Sequence, residues 1–166
     1  MFVADLELTR SPEDRRVYVL DGVGALRLEG LFSRTATAEA EGKSWRFARE
    51  GFWRRSAQAS DGTGIVVGEF EPRSLRRGGI VRWRGHELTL QPASGWRERY
   101  ELTDGEHELA VLDGKGWGRR PVRITIADLG AIEPAGLLFA AFVVRGLAAD
   151  AQAAAGAGAS TAATGG

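Results

Sequence analysis

The sequence predicts a mainly β domain, a closed antiparallel barrel of about twelve strands around one apolar C-terminal helix. Three observations predict it. Short runs alternating apolar and polar residues succeed one another from residue 2 to about 127, the period-two signature of half-buried strands. Glycine-bearing turns separate the runs at hairpin spacing. The only strongly apolar stretch, Ala135 to Val144, follows the last run.

In order, the runs lie near 2–9, 17–20, 25–29, 31–38, 44–49, 53–60, 65–71, 79–84, 86–91, 96–103, 107–112 and 120–127. Between them sit Asp21-Gly22, Glu41-Gly42, Asp61-Gly62, Arg84-Gly85, Asp104-Gly105 and Asp113-Gly114. Glycine there supplies the positive φ of tight hairpins. Short connections make successive strands antiparallel neighbours, so the chain meanders. Part of the meander repeats: a shift of 43 residues lays Trp53-Arg54 on Trp96-Arg97, Asp61-Gly62 on Asp104-Gly105, Arg76-Arg77 on Arg119-Arg120, and Val81 on Ile124. A period of this length also suits propeller blades, but the copies are too few to close a ring and the blade signatures are missing.

Pro134 suits the first turn of a helix, where its missing N–H is not needed. The residues after it, through Val144, are apolar on every side. Such a helix must be surrounded, and here only the sheet can surround it. Twelve strands enclose a barrel too wide to fill with their own side chains, so the helix, expected over 134–149, becomes its filling. As a membrane span the apolar run falls short, with ten residues before Arg145 where about 20 are needed, and a charge there would be costly in lipid. Residues 151–166 are alanine, glycine, serine and threonine with one glutamine, which predicts a disordered tail beyond a domain at 1–150.

Composition bounds the chemistry. The 166 residues are 43% hydrophobic and 27% charged, ordinary for one globular domain. The absence of cysteine excludes a disulfide framework, thiolate metal sites and a cysteine nucleophile. The first residues alternate and carry Asp5 and Glu7, unlike an export signal, and so predict a cytoplasmic protein. The 22 basic and 22 acidic side chains cancel, but unevenly: residues 1–44 carry −2, residues 45–99 carry +5 and residues 100–166 carry −3. Twenty of the cations are arginine, whose planar fork suits phosphate and carboxylate.

The order of about twelve antiparallel strands followed by one wholly apolar helix, with the aromatic-rich duplicated meander and the segment Pro134 to Val144, resembles the Tubby C-terminal-like superfamily. That group includes tubby domains, phospholipid scramblases and LURP-one-related proteins. The resemblance spans Phe2 to about Ala149. It implies a barrel threaded by its helix and, as in tubby domains, recognition of acidic lipid headgroups by surface basic residues; many bacterial relatives have no assigned activity. No stretch aligns with the tubby headgroup site, so candidate residues rest on local argument alone.

Those candidates are Arg54, Arg55, Arg76, Arg77, Arg82 and Arg84, with Arg73, Arg119 and Arg120 beside them in the pattern. In Ile80-Val81-Arg82-Trp83-Arg84 the two arginines share one strand face, opposite Val81 and Trp83. Arg76-Arg77 precedes Gly78-Gly79, a turn whose amides could join the side chains around an anion. The competing reading is a solvated strand face whose charges deter edge pairing, partly neutralised by Glu69, Glu71 and Glu87. The tryptophans Trp45, Trp53, Trp83, Trp96 and Trp117 read as barrel core rather than base-stacking platforms, and the near-neutral isoelectric point lacks the basic excess of nucleic-acid binders. His86-Glu87 and His107-Glu108 lack metal-ligand spacing and read as surface hairpin residues. Nucleophile elbow, phosphate loop and dinucleotide fingerprint are missing from the sequence. The expectation is a non-enzymatic cytoplasmic binding module without cofactor or metal, partnered by acidic phospholipid headgroups. The alternative is a scaffold with a protein partner, and neither nucleic acid nor a transmembrane segment is expected.

Overall fold

The computed structural model describes residues 3–30, 34–50, 56–73, 77–115 and 118–162, the side chains of 157–162 excepted. The first six strands are β1 (Ala4–Arg10), β2 (Val17–Leu20), β3 (Gly24–Leu28), β4 (Thr35–Ala40), β5 (Lys43–Glu50) and β6 (Ser56–Ser60). The other six are β7 (Val66–Pro72), β8 (Gly79–Trp83), β9 (His86–Pro92), β10 (Arg99–Asp104), β11 (His107–Gly114) and β12 (Val122–Ile126). Each pairs antiparallel with its neighbour in sequence, and β1 closes the ring against β12 with Leu6 opposite Ile124. The expected closed twelve-stranded meander is the observed fold.

Alternation puts one face of every strand inside, and the inward residues are matched across strands by size. Ala38 faces Trp45, Ala36 and Ala59 face Phe47, Ala57 faces Phe70, and Gly68 faces Trp83. A large ring beside a small residue fills the wall without crowding it. Gly68 shows the limit, because a Cβ there would sit 2.6 Å from the Trp83 ring.

The duplication is present in three dimensions. Adding 43 to β8 gives the bounds of β12. Both copies carry a bulge at matching places: the register shifts between Ala59 and Ser60 in β6 and between Leu102 and Thr103 in β10. Each shift leaves one residue of the following strand unopposed, Val67 and Leu109, and both pack partly buried against the core. A bulge bends and twists its strand, which helps curve the sheet into closure.

Helix α1 (Pro134–Ala162) fills the barrel, with Ala135 and Leu137 to Val144 buried on every side. Phe139 meets Phe47 with ring centroids 5.2 Å apart and Trp83 at 5.8 Å, and Phe142 lies 5.6 Å from Phe47. By length and composition the segment Pro134–Gly156 could cross a membrane, yet the wall of the barrel encloses most of its apolar part.

Three expectations are corrected. Asp113-Gly114 is not a turn: both residues pair with β12, opposite Arg123 and Val122. Gly114 is there because the helix passes close by, and a Cβ would come within 2.9 Å of Val144. The helix also continues to Ala162, past its expected end near Ala149. Propagation on an existing helix costs far less than nucleation, so alanine carries it through Gly156. Third, Trp96 is not core. It lies ahead of β10 and is 98% exposed, whereas Trp45 and Trp83 are buried and Trp53 and Trp117 lie outside the described residues.

Candidate functional site

In a closed meander the connections alternate between the two ends of the barrel. The even-to-odd connections share an end with the start of α1; we call it basal. At that end Glu133, just ahead of the helix, accepts hydrogen bonds from Trp83 Nε1 at 2.7 Å and Arg84 Nε at 2.8 Å, both at the β8–β9 hairpin. The odd-to-even connections lie at the apical end, where the helix leaves. There Arg49, at the end of β5, holds Asp150 of the helix in a bidentate ion pair, and Gln152 bonds to the Lys115 carbonyl.

This parity sorts charge. Basal connections are short, and two of them, Glu41-Gly42 and Arg84-Gly85, place both central residues at positive φ (51° and 73°, 50° and 78°), the twist that two-residue hairpins require. Counted from the sequence, the five basal strand connections and the segment 127–133 that leads into α1 carry six carboxylates and one arginine, a net −5. The apical connections 51–55, 73–78 and 115–121 carry two, three and three cations and no carboxylate. The remaining apical connections, 11–16, 29–34 and 93–98, balance internally, so by sequence the apical connections sum to +8.

The six candidate arginines divide between these settings. Arg54, Arg55 and Arg76 belong to apical connections but lie outside the described residues. Arg82 lies in the barrel wall, 2.9 Å from Glu71 of β7 and 3.3 Å from Glu87 of β9; the Glu71 hydrogen bond holds its guanidinium above its ordinary pKa. Arg84 is basal and clamped on Glu133. Arg77 is apical: it donates to Glu98 Oε1 at 2.9 Å, to the Arg97 carbonyl at 3.1 Å and to the Ser94 carbonyl. The described candidates therefore form no common patch, and each is neutralised by carboxylate.

Other apical cations remain available. The side chains of Arg73, Arg97 and Arg119 are exposed and have no hydrogen-bond or ion-pair partner among the described residues. Among the described residues Arg120 pairs only with Glu7, at an exposed 3.4 Å. At the mouth itself Arg145 stacks 5.5 Å above the Tyr18 ring, with its Nε buried and unpartnered. The repeat had flagged Arg119 and Arg120; nothing in the linear sequence put them at the same end as Arg73.

The rest of the surface offers little chemistry. His86 is exposed and 3.1 Å from Asp104, and His107 is exposed. Among the described residues no group of three potential ligands could hold a metal ion. A basal cleft of about 630 Å³ between the β2–β3 and β4–β5 hairpins is lined mainly by small and apolar residues, with Glu39, Glu41 and Lys43 at its charged positions. Compared with family models, curated proteins and solved structures, the chain matches none.

Proposed function

We propose that the protein is a non-enzymatic, Tubby-like binding module that works in the cytoplasm and docks through its apical end on surfaces rich in acidic lipid headgroups. The observation that carries this reading is the separation of charge along the barrel axis, with unbalanced cations on three apical connections. Near an anionic leaflet each lysine or arginine contributes about 1 kcal/mol, fading within a Debye length. Several such residues on one end suffice for reversible attachment. The acidic basal end is repelled, so docking has one orientation.

The helix macrodipole also favours acids at the basal end and cations at the apical end. That effect is worth about 0.3–1 kcal/mol per charge and dies out within a turn of the helix end. It accounts for Glu133 and leaves the rim cations unexplained. The second reading, a scaffold with a protein partner, draws on the neutralised state of Arg77, Arg82 and Arg84.

Co-sedimentation with neutral, phosphatidylserine and phosphoinositide vesicles at low and physiological salt tests the proposal. The wild type is compared with the apical Arg119→Ala, Arg120→Ala double variant and with Arg82→Ala as the wall control. Binding to anionic vesicles that weakens with salt and in the apical variant, but not in the control, supports it. Absence of binding to every vesicle, or loss only in the wall control, overturns it.

A further inference from the structure

Trp96 is the only exposed Phe, Tyr or Trp among the described residues, and the loop presenting it is built rather than slack. Ser94 Oγ accepts the backbone N–H groups of Trp96 and Arg97, both at 3.2 Å. Ala93 N–H donates to the Arg99 carbonyl at 2.8 Å, closing the base of the loop. Gly114 N–H donates to the Glu98 carbonyl at 2.7 Å, tying the loop to β11. From the other side Arg77 grips the Ser94 and Arg97 carbonyls and the Glu98 carboxylate, and Glu98 also accepts from the Tyr100 hydroxyl. Arg77, singled out by the sequence as a headgroup ligand, is thus a brace for the tryptophan loop.

Such bracing removes in advance the ordering cost that a mobile loop would meet on binding. It holds out an indole that hydration penalises and that prefers the boundary between headgroups and acyl chains. Arg97 is next in the chain and Arg73 lies on the connection that also carries Arg77, both side chains without a partner among the described residues, so the anchor sits within the cationic end.

We propose that Trp96 is an interfacial anchor, inserting into the headgroup boundary of an anionic bilayer when the apical end docks. The inference rests on the lipid-surface reading above and adds an apolar component that salt does not screen. It also assigns Arg77 a positioning role, holding the loop rather than binding phosphate.

The test uses the full chain with phosphatidylserine-containing vesicles, some carrying lipids brominated just below the headgroup. Trp96→Ala removes an exposed side chain, and its melting curve should match the wild type. Its vesicle affinity should fall about tenfold, the loss expected from half-burial of a large aromatic, and the drop should persist at high salt. Quenching of tryptophan fluorescence by brominated lipid should diminish in parallel. Arg77→Ala should weaken binding more than Arg73→Ala, which removes the same charge from the same connection without unbracing the loop. If Trp96→Ala binds and is quenched like the wild type while Arg119→Ala, Arg120→Ala still weakens binding, the anchor is refuted and the electrostatic reading stands. Equal effects of Arg77→Ala and Arg73→Ala would overturn the bracing role. Failure of the wild type to bind any vesicle, as expected if Trp96 serves a protein partner instead, would overturn both the lipid reading and the anchor.

Discussion

Replacing Phe139 with alanine tests whether the helix is the structural filling of the barrel. The ring is fully buried and packs edge-on against Phe47 at 5.2 Å and obliquely against Trp83 at 5.8 Å. Truncating a buried phenylalanine costs about 3–5 kcal/mol, the transfer term plus the cavity left behind, and each aromatic pair contributes about 0.5–1.5 kcal/mol of that loss. The wall here is a closed ring of hydrogen-bonded strands and cannot collapse inward, so about 4 kcal/mol is expected. With a urea m-value of about 2 kcal/mol/M for a domain of this size, the midpoint should fall by about 2 M, followed by far-UV circular dichroism and tryptophan fluorescence. Phe139→Leu, which keeps most of the volume, should lose about 1 kcal/mol. A midpoint shift below about 0.5 M for Phe139→Ala at unchanged m-value would refute the argument, because a side chain enclosed on every side cannot be removed at so small a cost.

Glu133 supplies a pH signature: partial burial pushes its carboxyl up, but the hydrogen bonds from Trp83 and Arg84 outweigh this and hold it below its ordinary value of 4.5. Its contribution is fully present above that value and is lost as pH falls through it towards the lower folded pKa. The difference in urea midpoint between wild type and Glu133→Gln should therefore be constant near neutrality and shrink in acid; a difference that grows on acidification would contradict the assignment. At the apical mouth, Asp150→Asn should cost about 1–2 kcal/mol, the range of charge-assisted bonds at a partly exposed pair, read as a lower melting temperature. A Cβ on Gly146 would lie 2.9 Å from the Arg49 guanidinium, so Gly146→Ala trades the Arg49–Asp150 pair for about 1 kcal/mol of helix propensity. It should be nearly neutral alone and stabilising in the Asp150→Asn background, and additive effects would show that the glycine and the ion pair are independent.

The strands were legible because alternation needs only local information. A residue's inward or outward sense follows from its parity once one face is buried. Local reading failed where a partner outside the segment decided. Gly114 resembled a turn glycine, but its small size serves the approach of Val144 and Ala148. Trp96 continued the alternating pattern of β10 backwards, yet Ser94 caps the amides of residues 96 and 97 and turns the chain ahead of the strand. The outward sense of Arg82 was legible, but Arg84, read as its neighbour on the same strand face, falls in the β8–β9 turn at positive φ, and neutralisation of Arg82 depends on Glu71 and Glu87 arriving from two other strands. Which arginines are neutralised follows from such cross-strand meetings, which no spacing in one strand reveals.

Sequence alone was enough for the closed twelve-stranded meander, its duplicated third and the helix inside it, because periodicity, hairpin glycines and an all-round apolar segment are each properties of contiguous residues. Only the folded ring decided where charge accumulates. Along the chain the segments carry −2, +5 and −3; in the barrel the connections sort into a basal set at −5 and an apical set at +8, the strands and helix holding the remaining −3. The physical reason is parity: each antiparallel strand returns the chain to the opposite end, so every second connection meets at one rim however far apart the connections lie in sequence. Acidic hairpins thereby gather where the helix begins. The connections with two or more cations and no carboxylate, and the braced Trp96, belong to the end where it leaves.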